Sequence, residues 1–256
     1  MKWTNEEIRN LEEDFRLGKW PSNLNGRSPN AIRIMASRLG LGLMDKRKLV
    51  SLTDYENQVI IGSMMGDMHI RKTKTSKNSR IEEGHGFKQK DYIVWKSKIL
   101  KNLSFSGRNN TSGYFVQSKN YPCLNYYREL FYSKQIKIIT PEILDKIGPV
   151  ALAFWYMDDG SKHSSGNGCS LHTNGFSLGE NIIIKNWLQK NWNISSEIKS
   201  HEEPKRYPGR VWHYQYFNGF NTQKFFHIIY KHIHPSMKYK LRGFKVTTLC
   251  GKEDKI

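Results

Sequence analysis

Two apolar runs in this chain end the same way. "IIGSMMGD" (Ile60–Asp67) and "AFWYMDDG" (Ala153–Gly160) each read as a helix with a core-like body, and each closes on aspartate. A carboxylate at a helix C-terminus faces the negative end of the dipole, and two such groups brought together also repel. Gly62 and Gly66 fall at i, i+4 and line one face, where a second backbone can approach closely. Two such helices packed side by side carry Asp67 and Asp159 to one end. That arrangement is costly unless a divalent cation sits between the acids, and hard oxygen ligands suit Mg²⁺. Either acid alone could simply cap the following turn. The repetition in matching context argues against that plainer reading for the pair.

The rest of the composition says what such a site would act on. The chain has 256 residues and a net charge of +18. A hydrophobic content of 38% with 12% aromatics makes it globular rather than disordered. The charge favours a polyanionic partner through phosphate neutralisation and counterion release. No long basic amphipathic helix points to a membrane surface, and no stretch has the apolar length of a signal core or membrane span. Cys123, Cys169 and Cys250 are scattered without a CxxC pair, so neither a zinc finger nor a disulfide framework is expected. An intracellular location is expected, with a bacterial or phage-infected cytoplasm favoured over an organelle.

Residues 1–41 read as a small helical unit. Thr4 and Glu7 form a capping box, and Ile8, Leu11 and Phe15 follow at helical spacing. In "GRSPNAIRIMASRLGL", Ser28 is the N-cap and Pro29 the first helical residue. Ile32, Met35, Ala36 and Leu39 make the apolar stripe, and Gly40 ends the helix. The other face carries Asn30, Arg33, Ile34 and Ser37, flanked by Arg27 and Arg38, as a recognition helix would. Residues 42–53, with Lys46-Arg47-Lys48, read as a basic linker. Residues 54–147 and 148–256 then repeat one order of elements, approximately helix–β–β–helix–β–β–helix: a diverged internal duplication rather than an array.

With these features assembled, residues 54–250 resemble the LAGLIDADG homing endonucleases in their monomeric, two-motif form. "LAFWYMDDG" (Leu152–Gly160) and "IIGSMMGDM" (Ile60–Met68) match the two signature motifs, and "LHTNGFSLGE" and "PSMKYKL" match later segments. The resemblance implies an α+β fold: two pseudo-symmetric αββαββα halves whose sheets form a saddle over DNA. It implies that the motif helices form the interface between the halves. Asp67 and Asp159 are then the catalytic, metal-holding acids, and Asp158 a local hydrogen-bonding residue. A lysine near each cleavage site is also implied. It falls on Lys240 in the second half and on Lys137 in the first, with Lys134 also open. The implied reaction is Mg²⁺-dependent hydrolysis of both strands, with Mn²⁺ as substitute, leaving short 3′ overhangs. The N-terminal 41 residues resemble a Myb-like or helix-turn-helix module.

The implied partner is double-stranded DNA, bound by a monomer, with intron RNA as a further possible partner and no membrane. Contacts in the first half are expected from His69, Arg71, Lys74, Arg80, Lys88 and Gln89. In the second they are expected from Lys162, His163, Lys199, His201, Lys205 and Arg210. The alternative readings are an RNA maturase and a non-cleaving DNA-binding regulator. A regulator would usually lose one acid, and a maturase need not keep both; this chain has both.

Overall fold

The computed structural model describes residues 3–16, 21, 24, 26–41, 50–164, 167–202, 207–247 and 253–255. Trp20, the Lys46–Arg47–Lys48 run, Lys205 and Cys250 lie outside the described residues. The chain divides into two compact units, Met1–Ser51 and Leu52–Ile256.

The first unit contains α1 (Asn5–Arg16) and α2 (Pro29–Arg38). The capping box forms: Thr4 N donates to Glu7 Oε2 at 2.8 Å, and Glu7 N donates to Thr4 Oγ1 at 3.2 Å. Ser28 caps α2 by accepting from Ala31 N. Gly40 takes a positive φ of 67°, and Leu41 N closes on Ala36 O at 2.8 Å, so the helix stops where a left-handed residue is needed. Leu11, Phe15, Leu24, Ile32 and Ala36 form the small core.

In the second unit the first half runs α3 (Asp54–Met65), β1 (His69–Arg71), β2 (Arg80–Gly86), α4 (Lys90–Ile99), β3 (Phe105–Asn109), β4 (Gly113–Ser118) and α5 (Cys123–Phe131). A short hairpin, β5 (Tyr132–Ser133) and β6 (Ile136–Lys137), and the single turn α6 (Pro141–Leu144) complete it. The second half runs α7 (Pro149–Asp159), β7 (Gly160–Lys162), β8 (Cys169–Leu171), α8 (Leu178–Trp192), β9 (Glu197–Glu202), β10 (Val211–Phe217) and α9 (Gly219–Ile229). A 3-10 stretch over Pro235–Leu241 follows. Both sheets are antiparallel with one strand order, β1-β2-β4-β3 and β7-β8-β10-β9. The duplicated αββαββα order is therefore present. Two strands escape the sequence reading. β3 is almost wholly exposed and polar, so no alternation marks it, and β7 is only three residues long.

The halves meet through α3 and α7. Gly62 lies against Ala151: a Cβ on Gly62 would stand 2.2 Å from the Ala151 carbonyl oxygen. Eight residues of α7 are buried, from Ala151 to Asp158, so this helix is apolar on every side. Phe154 turns away from the close contact and stacks on Trp95 of α4, with centroids 5.3 Å apart and planes 5° from parallel.

One face of each sheet stays open. In β10, Gln215 and Phe217 are buried while Trp212, Tyr214 and Tyr216 are half-exposed on the other face. In β2, Ile81, Glu83 and His85 point into the protein, and Arg80 and Glu82 point out.

Candidate active site and nucleic-acid interface

The catalytic candidates come together where α3 and α7 end. Asp159 is the last residue of α7; Asp67 lies just past α3, after Gly66. Lys137 Nζ donates to the carbonyls of Gly66 and Met68, both at 3.0 Å, on either side of Asp67. Lys240 Nζ donates to the carbonyls of Met157 and Asp158 at 2.5 and 3.0 Å, just before Asp159. Each lysine thus neutralises the carbonyl end of one motif helix, where the dipole favours a cation. Lys134 instead occupies the exposed turn of the β5–β6 hairpin at φ 58°. Lys137 is the lysine the hairpin brings to Asp67.

Charge in this cluster is strained in the way a cation would relieve. Burial pushes the Asp159 carboxyl well above the usual range, and the charges of Asp67 and Asp158 push it further; Lys137 and Lys240 pull the other way. Burial likewise brings Lys137 down to about 8 against the pull of Asp159, Asp158 and Asp67. Lys240 is lowered for the same reason. The Asp67 side chain keeps 44% of its surface exposed, so the site opens to solvent. His69, Lys137, His172 and Asn174 line a cavity of about 300 Å³ at Asp159.

Asp67, His85 and Asp158 also place one potential ligand atom each within 4.8 Å of one another. Two of the three are already engaged. Asp158 accepts from Lys96 Nζ at 2.9 and 3.1 Å and from the Tyr92 hydroxyl at 2.7 Å. His85 contacts Glu83 at 2.8 Å and Gln89 at 3.1 Å through its two ring nitrogens. The oxygen donors left for a hard divalent ion are Asp67 and Asp159, and their mutual repulsion fits that ion. Asp158 is a hydrogen-bonding residue, as expected, and its carboxylate crosses to α4 of the other half. The one-residue offset that separates it from Asp159 turns its side chain about 100° round the helix, toward the interface.

The expected DNA contacts sort by what already holds them. His69, Arg71, Lys74 and Lys88 are exposed. Arg80 pairs with Glu82 at 2.6 Å, and Arg71 approaches the same carboxylate at 3.6 Å. Gln89 donates to the Tyr239 hydroxyl at 3.1 Å while touching His85, so it bridges rather than projects freely. In the second half, Lys162 reaches the His163 carbonyl and His163 meets Ser170 Oγ at 2.8 Å. Lys199 pairs with Glu197 at 2.7 Å, His201 packs edge-on to Tyr214, and Arg210 stacks 3.8 Å over Trp212. In the first unit Asn30, Arg33, Ser37 and Arg38 all lie on the exposed face of α2.

Arg27 is a correction. Its guanidinium grips Glu7 through two bonds of 2.9 Å and lies 4.7 Å over Trp3. The pair holds Glu7 down at about 2, and Arg27 joins α1 to the start of α2 rather than facing outward.

The sequence reading missed several residues on the open face. Arg108 lies over Phe115, with Gln117 on the same side of β4, and Tyr214 and Tyr216 flank His172 and His163. "NNTSG" is the turn signal that could have exposed β3: Asn110 Oδ1 accepts from Ser112 N and Gly113 N and closes the hairpin. It also missed Glu83, His85 and Lys96. Ionisable residues at the inward positions of β2 were the available signal.

Comparison with known proteins now identifies the class. The model of the LAGLIDADG DNA endonuclease family matches residues 57–225, and the chain belongs to that family. Among solved structures, it is similar to the homing endonuclease I-WcaI bound to its DNA recognition sequence, with 25% identity and a TM-score of 0.67 over 88% of this chain and 98% of that one. It is 27% identical to probable intron-encoded endonuclease 1 of Wickerhamomyces canadensis, over 77% of this chain and 87% of that protein. It is also 30% identical to protein RecA of Mycolicibacterium flavescens over 74% of this chain, which spans about half (47%) of that longer protein. Cytochrome b mRNA maturase bI2 of Saccharomyces cerevisiae is 29% identical over 73% of this chain and 47% of its own length. No helix among the described residues is long and apolar enough to cross a membrane.

Proposed function

We propose that this chain is a site-specific DNA endonuclease, acting as a monomer, that hydrolyses both strands of a long duplex site and leaves short 3′ overhangs. The observation that carries the reading is the convergence of Asp67 and Asp159 at the ends of the packed α3–α7 pair, each flanked by a lysine. Mg²⁺ held by those two carboxylates, or Mn²⁺ in its place, would lower the pKa of a bound water and offset charge on the scissile phosphate. The chain's own residues do the rest. Lys137 and Lys240 stand beside the acids as preorganised cations for developing negative charge. With its ammonium brought down to about 8, Lys137 can also exchange a proton near neutral pH. The open sheet faces, rich in Arg, Lys, His and Tyr, suit the major groove on either side of the cut.

The α2 face of the first unit is assigned to a neighbouring stretch of duplex, where it would raise affinity through effective concentration. Relatives named as an intron-encoded endonuclease and an mRNA maturase favour a mobile intron as the host element, in a bacterium, phage or organelle. The maturase relative also supports RNA binding as a second reading.

The test is a cleavage selection on a randomised duplex library with Mg²⁺, comparing the native chain with Asp159→Asn. A common long site with short 3′ overhangs, absent with the variant, is the expected result. Binding without cutting would favour a regulator. Neither binding nor cutting would direct attention to structured intron RNA.

A further inference from the structure

The two halves share one fold, but among the described residues a buried ionic network lies on one side only. It consists of Glu83 and His85 on β2, Lys96 on α4 and Asp158 on α7, all buried. Lys96 Nζ is its centre, 2.5 Å from Glu83 Oε1 and 2.9 Å from Asp158 Oδ1. Glu83 in turn holds His85 Nε2 at 2.8 Å, and His85 Nδ1 stands 3.7 Å from Asp67 Oδ2. A chain of charge therefore runs from Lys96 to one catalytic acid.

By strand register Leu171 and Thr173 stand where Glu83 and His85 stand in the first half, and the polar bonds beside them are neutral. Ser196 donates to Gln215 at 2.7 Å, and Gln215 donates to Asn181 at 2.9 Å. No ionised side chain takes part in those bonds. The asymmetry is built in at the interface. The residue before the acid is Gly66 in one motif and Asp158 in the other, and a Cβ on Gly66 would fall 2.5 Å from Asp158 Cβ. Only one of the two positions can carry a side chain, and that side chain reaches into the first half.

We propose that Lys96 is a positioning residue that tunes the Asp67 site more than the Asp159 site, so that the two strands of the substrate are cut through inequivalent sites. Without Lys96, Glu83 and Asp158 share a dry pocket with only His85 to balance them. Those carboxylates compete for the imidazole, which leaves its place beside Asp67. Asp158 also bears on Asp159 through its charge, but among the described contacts the network reaches a catalytic acid through a side-chain contact at Asp67, by way of His85. The inference rests on the endonuclease reading.

The experiment follows nicking of each strand of a supercoiled plasmid carrying the duplex site recovered by selection. Asp67→Asn and Asp159→Asn define which strand depends on which acid. Lys96→Met is expected to slow the Asp67-dependent strand at least tenfold more than the other, so that nicked circles accumulate. Its affinity for the uncut duplex in Ca²⁺ should stay within about threefold of the native value. The double variant Lys96→Met with Asp158→Asn leaves only the Glu83–His85 pair ionised and is expected to restore the native strand ratio. It carries the test if the single variant does not fold. Ile184→Ala, a core truncation in α8, is the control for general loosening and should leave the strand ratio unchanged.

Equal slowing of both strands by Lys96→Met, or a double variant as biased as the single one, overturns the proposal. A native chain that leaves the plasmid intact overturns the endonuclease reading and this inference with it; native cutting with an unbiased Lys96→Met overturns only this inference.

Discussion

The two halves of the larger unit have the same element order and the same sheet order, but not the same helix entries. Thr53 with Glu56 forms a capping box at α3, whereas its counterpart α7 starts at Gly148 with no side-chain cap; Ser177 with Glu180 forms one at α8, whereas its counterpart α4 has none. Their interiors differ. The first half buries Glu83, His85 and Lys96 beneath its sheet, where the second buries Asn181 and Gln215. A duplication therefore keeps the backbone hydrogen-bond plan and the apolar pattern, which any core of suitable volume satisfies. Buried polar groups are less forgiving, because each must find its own partner. They are where the halves have diverged.

The largest effects should come from the acids, where the halves are expected to behave alike. Asp67→Asn and Asp159→Asn should each reduce linearisation of a cleavable plasmid by at least roughly a hundredfold, read by gel time course. Retained linearisation in either variant would separate that aspartate from the chemistry. The halves should part company in stability. Lys96→Met leaves two buried carboxylates short of a cation and should cost about 3–5 kcal/mol. Gln215→Leu strands neutral partners only and should cost about 1–3 kcal/mol. Urea melts of the two variants measure both numbers, and equal losses would erase the distinction drawn between the interiors.

The shared interface comes next. Gly62→Ala drives a methyl into the Ala151 carbonyl and should cost about 1–3 kcal/mol in the same melts; a neutral result would mean that α3 and α7 can part without penalty. The smallest effects are expected at the two capped helix entries, which the halves do not share. Thr53→Ala and Ser177→Ala each remove one N-cap and should each cost about 1 kcal/mol. A loss well above that in either variant would mean that the box does more than cap its own helix.

Much of the fold was legible along the chain. The periodicity and caps of α1 and α2, the apolar bodies of α3 and α7 and the alternation in β10 are local signals. β3 and β7 were not, because an exposed polar edge strand and a three-residue strand have no inward face to pattern. The placing of Asp67 and Asp159 at matching helix ends, with Lys137 and Lys240 beside them, was legible through motif resemblance. Arg27 misled because a basic residue beside a polar helix face looks outward in sequence. Only its distance to Glu7 and Trp3 reveals that it closes a core.

By itself, then, the sequence determined the duplication, the two acids at matching helix ends and the basic character of the whole. These depend on short-range order and composition. The tertiary structure decided which lysine flanks Asp67, where Asp158 points and that Glu83, His85 and Lys96 form one ionic cluster. Lys96 and Asp158 are 62 residues apart in the chain, and Lys137 is 71 from Gly66. A buried charge is tolerable only beside its partner, and that partner is fixed by how α3, α4 and α7 pack.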